Sequence, residues 1–463
     1  MKTDRIRGWA AAIYLALCLL LGGASGIGAG AIANGILQGL AILLILLALW
    51  MPGPAVPRSA RALMAIGGAF AMLVLLTLIP LPAGLWQALP GRDGISHGFG
   101  LLGIDGASLP ASLAPSDSIG SVVRLLPPAA MFLLVLQMGV SQRQRLPWVV
   151  LGIATVSIGL GAAQLLGGPG SPLRFYEITN SDSPVGFFAN ANHQATLLLA
   201  ALPFAGYLGA RAAARRSNRG ERSGGIAMAF FIGLFLIVGI GIVGSMAGYG
   251  LLAPVLLAAL LVYRRAAFGR LTRKWVGAFG VLFVLFLGVA FAGPLNNQAL
   301  AGKLDDNPTS RKVMAATTLE AAAAYFPVGS GLGSFADVYR TFDDPDRVVS
   351  EFVNHAHNDY VEVALELGLP GILLILAFFA WWIMMSLRAW RSDSEGANLA
   401  RAGTVVIFVV LLHSVVDYPI RTSAIAALFA VACALLVPPP APPARRSSRS
   451  RSGGEKLKHV EAV

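Results

Sequence analysis

Apolar residues gather into long runs separated by short polar or glycine- and proline-rich breaks. A helix that crosses a bilayer needs about 20 mostly apolar residues, and by that measure the pattern predicts about twelve. The runs cover 9–25, 33–50, 60–81, 123–140, 147–165, 194–210, 225–243, 248–263, 276–293, 370–387, 403–418 and 422–437. The Gly-Ala-Ser-Gly exit of the first run is rich in small residues, but the second run follows at once, so a cleaved leader is not expected. The pair 225–243 and 248–263 is short enough to be re-entrant instead. The expected fold is therefore all-α and polytopic. Membrane helices fill 1–293, a large loop covers 294–369, further spans occupy 370–437, and a Pro- and Arg-rich tail runs over 438–463.

Composition excludes the competing classes. The chain has 463 residues, 56% of them hydrophobic and only 13% charged. Soluble domains carry about 25% charged residues, and disordered chains are charged and poor in apolar residues. Cys18 and Cys433 lie inside apolar runs and read as small buried residues. The formal net charge of +12 would suggest nucleic acid in a soluble protein. Here it follows the topology. With the N-terminus cytoplasmic, every basic cluster falls on the cytoplasmic side, as the positive-inside rule requires. That side holds a balance of +20 and the outer side −8. No nucleic-acid partner is expected; the partner implied is the lipid bilayer.

The spans are nearly free of charge, unlike a transport pathway. Polar residues cluster in the outer loops and at outer helix ends. The sharpest group is His355-Ala356-His357-Asn358-Asp359-Tyr360-Val361-Glu362, running on to Gly368-Leu369-Pro370-Gly371. At 100° per residue, His357, Val361, Ala364 and Gly368 share one helical face, with Asp359, Glu362 and Glu366 opposite. Read alone, this is an amphipathic interfacial helix, with the histidine either functional or a cap.

His357-Asn358, nine residues, then Gly368-x-x-Gly371 resembles the signature of the O-antigen ligase and polymerase family of bacterial membrane glycosyltransferases. That family has about a dozen spans and a large periplasmic loop, a GT-C-like architecture. The resemblance covers residues 180 to 437. It implies catalytic roles for His357 and Arg311, the latter opening a helix that leads to Pro327-Val328-Gly329-Ser330-Gly331-Leu332-Gly333. Glycines let backbone N–H groups approach a phosphate, so Gly329, Gly331 and Gly333 are binding candidates, with a tight turn as the alternative. Gly186-Phe187-Phe188-Ala189-Asn190-Ala191-Asn192 is similar to a family stretch entering a span. Asn190 and Asn192 would bond sugar hydroxyls or cap the helix, capping being favoured for Asn192. Asn358 joins the binding candidates through the motif.

Two departures stand out. Family members often carry an arginine before the Gly-Phe pair, where this chain has Asp182-Ser183. Many have Ser-Arg-Gly after the seventh span, where it has Ser245-Met246-Ala247-Gly248. Arg174, Arg340, Arg347 and Arg421 are outer-side candidates to replace them, Arg174 and Arg421 foremost. Asp417 and Arg421 read as a local ion pair, and Asp343-Asp344-Pro345-Asp346 as a solvated acidic turn rather than a metal site.

The resemblance implies a metal-independent, inverting transfer of a glycan from an undecaprenyl diphosphate carrier to an acceptor hydroxyl. The acceptor would be lipid A core in a ligase, or a growing polysaccharide in a polymerase. No cofactor is implied. The setting would be the bacterial inner membrane, with the active site facing the periplasm. A non-enzymatic lipid or polysaccharide exporter is the rival, and it would predict half-repeats and charged residues at mid-membrane.

Overall fold

A computed structural model of the chain describes residues 2–24, 28–51, 53, 56–104, 106–214, 219–268, 311–345, 353–394 and 396–440. The expected span 276–293, loop residues 294–310, Asp346, Arg347 and the tail beyond 440 lie outside the described residues.

The regular structure of the described chain is helical apart from two-residue strands β1 (Pro80–Leu81) and β2 (Leu109–Pro110), which pair antiparallel. Helices α1 (Lys2–Leu21), α2 (Ala29–Trp50) and α3 (Arg58–Thr77) lead into a loop with the short helices α4 (Ala83–Gln87) and α5 (Asp93–Leu101). Then follow α6 (Pro115–Val123), α7 (Leu126–Leu136), α8 (Val140–Arg143), α9 (Leu146–Leu166), α10 (Ala191–Ala214), α11 (Arg219–Val243) and α12 (Met246–Phe268). The last group is α13 (Arg311–Tyr325), α14 (Phe335–Phe342), α15 (Asp359–Arg391), α16 (Ala397–His413) and α17 (Ser423–Leu436).

Among the described residues, eight helical segments are long and apolar enough to cross a membrane. They are α2, α3, α6 with α7, α8 with α9, α10, α11, α12 and α15. The chain is an all-α, multi-pass membrane protein. Helices α11 and α12, read above as spans or a re-entrant pair, are both of full spanning length. The span expected at 123–140 begins earlier, at Pro115, where proline at the first helical position needs no N–H partner. It breaks at Arg124–Leu125, because Pro127 and Pro128 have no N–H to give to the carbonyls four residues back.

Helix α10 is the hub. It packs against α9, α11, α12 and α16, with nearly every residue from Ala191 to Ala210 buried. Small residues allow the close approach that helix pairs in lipid depend on: a Cβ on Gly206 would stand 2.7 Å from the Ala259 carbonyl oxygen. Helix α17 fills a second position in the core, against α7, α16 and α1.

The basic turns gather at one end. There Arg7 donates to Met51 O, Arg143 to Ala434 O and Val437 O, and Arg401 to Ala389 O and Ser392 O. The N-terminus of α17 therefore points to the opposite end. At 1.5 Å per residue, α16 and α17 are about 25 and 21 Å long, short of the roughly 30 Å hydrocarbon layer. The turn between them, Ser414–Thr422, is thus sunk within the far half of the bundle. Helices α13, α14 and the first turns of α15 close over it with their own small core of Met314, Ala321, Tyr325, Phe335, Val338, Tyr339 and Leu365.

Candidate active site

The sunken turn carries two charged residues, and each organises its own cluster. Asp417 is fully buried. Its Oδ1 accepts the Tyr418 N–H at 2.9 Å, and its Oδ2 accepts from Asn192 Nδ2 at 2.5 Å. Arg311 Nη2 lies 3.7 Å from Oδ2 and His357 Nδ1 3.2 Å from Oδ1. The His357 contact is off the straight line of a formed hydrogen bond, an alignment that catalytic pairs without substrate often show. His193 Nε2 is a further 4.0 Å neighbour. The two candidates from separate motifs, His357 and Arg311, therefore meet on one carboxylate. Their side chains are 23% and 42% exposed, so both face the open side while Asp417 holds them from behind.

The electrostatics fit that arrangement. Burial pushes the Asp417 carboxyl up, but His357, His193 and Arg311 outweigh it and hold it below the usual carboxylate range. Asp417 is thus a fixed anion at neutral pH. Tyr418 makes the floor, its ring within 4.2 to 5.2 Å of His355, His357 and His193. Burial raises its hydroxyl above the ordinary tyrosine value.

Arg421 forms the second cluster. Nε reaches Asp359 Oδ1 at 3.1 Å, Nη1 reaches Glu362 Oε1 at 3.1 Å, and Nη2 reaches Glu366 Oε2 at 3.5 Å. Burial disfavours its charge, but Glu362, Glu366 and Asp359 reverse that effect and hold the guanidinium above its ordinary value. Glu362 also takes His355 Nδ1 at 2.8 Å and the Ala356 N–H at 2.8 Å. Burial lowers His355 even beside that carboxylate.

These clusters correct several expectations. Asp417 and Arg421 are not a pair. The Tyr418 backbone and the 3₁₀ turn Pro419–Arg421 send them to different partners. Arg421 spends its fork on three carboxylates and is not free for a substrate phosphate. His357 is not on a helical face. It precedes α15 with φ at +50°, the single non-glycine residue with positive φ among the described residues, a strain that marks functional sites. Asn358, expected to bind substrate, is the helix cap. Its Oδ1 accepts from the Tyr360 and Val361 N–H groups at 3.0 and 3.1 Å. The kink at Gly368, φ +56°, separates this polar section from the apolar part of α15.

The capping role expected of Asn192 falls to Asn190. Asn190 Oδ1 caps α10 by accepting the Asn192 N–H at 2.8 Å. Asn192 instead bridges Asp417 and Ser245, whose hydroxyl donates at 2.7 Å. Arg174 closes its own loop by donating to Asn180 O and Ser183 O, and none of its hydrogen bonds reaches the Asp417 cluster.

The glycine turn is not an open phosphate cradle. Gly329 donates to Tyr325 O, Gly331 to Glu366 O and Gly333 to Glu366 Oε1. All three have positive φ, and the turn is pressed against other backbone. At Gly331, φ +103°, a Cβ would fall 2.2 Å from Ser112 Oγ and 2.6 Å from Ser112 Cα. Gly331→Ala is therefore expected to cost at least about 1–3 kcal/mol through strain and overpacking, read as a lower melting temperature in detergent. Gly233→Ala, on α11 with open space around it, is the control. It is expected to be neutral, or stabilising by roughly 0.5–1 kcal/mol.

Residues 226–376 match the family described as O-antigen ligase. No curated protein matches the chain. The matched stretch contains Arg311, the glycine turn and His357, whereas Asp417, Arg421 and Asn192 lie outside it. Asn192 was a candidate through its motif, but the sequence offered no sign that Asp417 is the partner joining these residues. Over residues 226–376, about a third of its length, the chain is similar to the O-antigen ligase family, which supports the O-antigen ligase and polymerase resemblance of its motifs.

Proposed function

We propose that this protein transfers a glycan from undecaprenyl diphosphate to a sugar hydroxyl of lipid A core, at the periplasmic face of the bacterial inner membrane. The observation that carries the reading is the meeting of His357 and Arg311 on buried Asp417. Asp417 fixes the His357 tautomer with its proton on Nδ1, which leaves Nε2 as the base. The acceptor hydroxyl gives its proton to Nε2 while its oxygen bonds the anomeric carbon. The bond from that carbon to the diphosphate breaks, and its electron pair leaves on the diphosphate. Attack opposite the leaving group inverts the anomeric centre. Arg311 meets the developing charge with a guanidinium that is always ionised and suited to phosphate oxygens. In this reading arginine supplies the positive charge, and no metal is invoked. Helices α13 and α14 with the first turns of α15 form the cover of the site.

His357→Ala and Arg311→Ala, each inserted and expressed at the native level in the host, are expected to lose capped lipid A core and accumulate carrier-linked glycan. In vitro turnover should fall about 100-fold or more, the scale of a lost general base. Normal capped core from both variants would defeat the assignment. A deletion strain separates the two family activities. Loss of all capped core fits a ligase, whereas a single-repeat band fits a polymerase.

A further inference from the structure

In the transfer reading Arg311 is one cation facing a doubly charged leaving group. Arg421 cannot assist, since its three nitrogens are engaged with Asp359, Glu362 and Glu366. A different arginine stands free beside this cluster. Arg124 occupies the break between α6 and α7, and its side chain is exposed. Among the described residues it forms no side-chain hydrogen bond or ion pair. The charged groups acting on it are Arg421, Asp117 and Glu366.

Its position is held firmly. Ser118 Oγ donates to Leu332 O at 2.7 Å and contacts Ser112 Oγ at 2.8 Å, and Leu113 N donates to Ser330 O at 2.8 Å. These bonds fasten α6 to the glycine turn. Val122, two residues before Arg124, packs into the cluster of Val74, Leu332 and Leu367. That contact fixes the depth. Val74 lies about 24 Å along α3 from its basic-end start at Arg58, at 1.5 Å per residue. The hydrocarbon layer is roughly 30 Å thick, so Arg124 sits near its far edge. This matches the level of the Asp417 turn, set independently by the lengths of α16 and α17. An arginine exposed at that depth without a partner is costly unless an anion or the interface receives it. Its long stem lets the guanidinium reach toward headgroup level.

We propose that Arg124 is a docking point for lipid-borne phosphate at the side of the active site. The inference rests on the transfer reading above, under which the favoured occupant is the diphosphate of the donor. A bilayer phospholipid offers the same chemistry.

The full chain in nanodiscs tests it. Arg124→Gln is compared with wild type and with Arg124→Lys, which keeps the charge. Undecaprenyl diphosphate and phosphatidylglycerol are the separate probes, read by native mass spectrometry and by competition for labelled undecaprenyl diphosphate. Arg124→Gln is expected to weaken undecaprenyl diphosphate binding about tenfold, the scale of one charge-assisted contact, with Arg124→Lys recovering part of the loss. The donor KM should rise more than kcat falls. Weakened retention of phosphatidylglycerol alone would support the site and assign it to the bilayer headgroup. Unchanged binding of both probes, in a variant with wild-type melting temperature, would overturn it. A variant that fails to fold leaves the decision to Arg124→Glu, which repels either phosphate when purified folded and overturns the site if binding is unaltered. The two proposals fail separately. An inactive His357→Ala with phosphate binding untouched by Arg124→Gln sinks only this one. An active His357→Ala with binding weakened by Arg124→Gln sinks only the transfer mechanism.

Discussion

Asp417→Asn is expected to remove glycan transfer almost completely, by about 10³- to 10⁴-fold, while the protein stays folded in the membrane. The scale is that of replacing a histidine-orienting carboxylate by its amide in other enzymes. The substitution conserves volume, so the core around α16 and α17 has no cavity to collapse into. It removes a buried negative charge, and Arg311, 42% exposed, can rehydrate when its partner goes. What changes is the tautomer of His357. An amide can present its NH₂ to Nδ1, which puts the imidazole proton on Nε2 and leaves no base facing the acceptor. Arg311 also loses the charge that holds it. Turnover with purified donor and acceptor, beside a melting curve in detergent, reads both halves. A variant that folds and retains more than a tenth of wild-type turnover would contradict the role given to Asp417.

The same residue makes a pH prediction. Its carboxyl is held below the ordinary carboxylate range in the folded protein. A lowered folded value means that the stabilisation is fully present above the unfolded value of about 3.9 and is lost as pH falls through the folded value. Titration of the Asp417 carboxyl itself should therefore add no pH dependence to the difference in melting temperature between wild type and Asp417→Asn from pH 8 to 5. Any loss of activity in that window belongs to a group other than Asp417.

The transmembrane framework was legible because lipid demands long apolar helices, and the break points fell at Gly and Pro residues that the chain displays openly. The gathering of basic turns at one end was legible for a similar reason, since charge cannot be hidden within the spans. The pairing inside the site was not. Asp417 and Arg421 are four residues apart, the spacing of a helical ion pair, but Pro419 and the turned Tyr418 backbone remove the helix that the spacing presupposes. His357 was placed on a helix because the period was extended one turn too far. Asn358 carried the missed signal, being a strong N-cap residue directly before the apolar period. The glycine turn was legible as a turn, but what its amides face was not. The Gly333 amide points at the Glu366 carboxylate and the Gly331 amide at the Glu366 carbonyl, and partners so distant in sequence are invisible to local pattern.

Arg421→Met should prevent the protein from accumulating as a monodisperse species. The side chain is the shared cation of Asp359, Glu362 and Glu366, all within the first turns of α15 and all buried. Breaking one buried ion pair by removing a partner costs about 3–5 kcal/mol, and whole domains hold only about 5–15 kcal/mol in reserve. Here one substitution abandons three carboxylates at once. Lysine should rescue little, because a single ammonium on a flexible stem cannot reach groups that the guanidinium fork meets with three separate nitrogens. Neutralising the acids tests the cause. Arg421→Met combined with Asp359→Asn, Glu362→Gln and Glu366→Gln is expected to recover monodisperse protein, since no buried charge is then left unpaired. Recovery identifies the uncompensated charge as the fault, and it leaves the Asp417 cluster intact for an activity measurement. Arg421→Met that purifies with a wild-type melting temperature would mean the three carboxylates are already protonated in the folded protein, and the ionic account of this cluster would then be wrong.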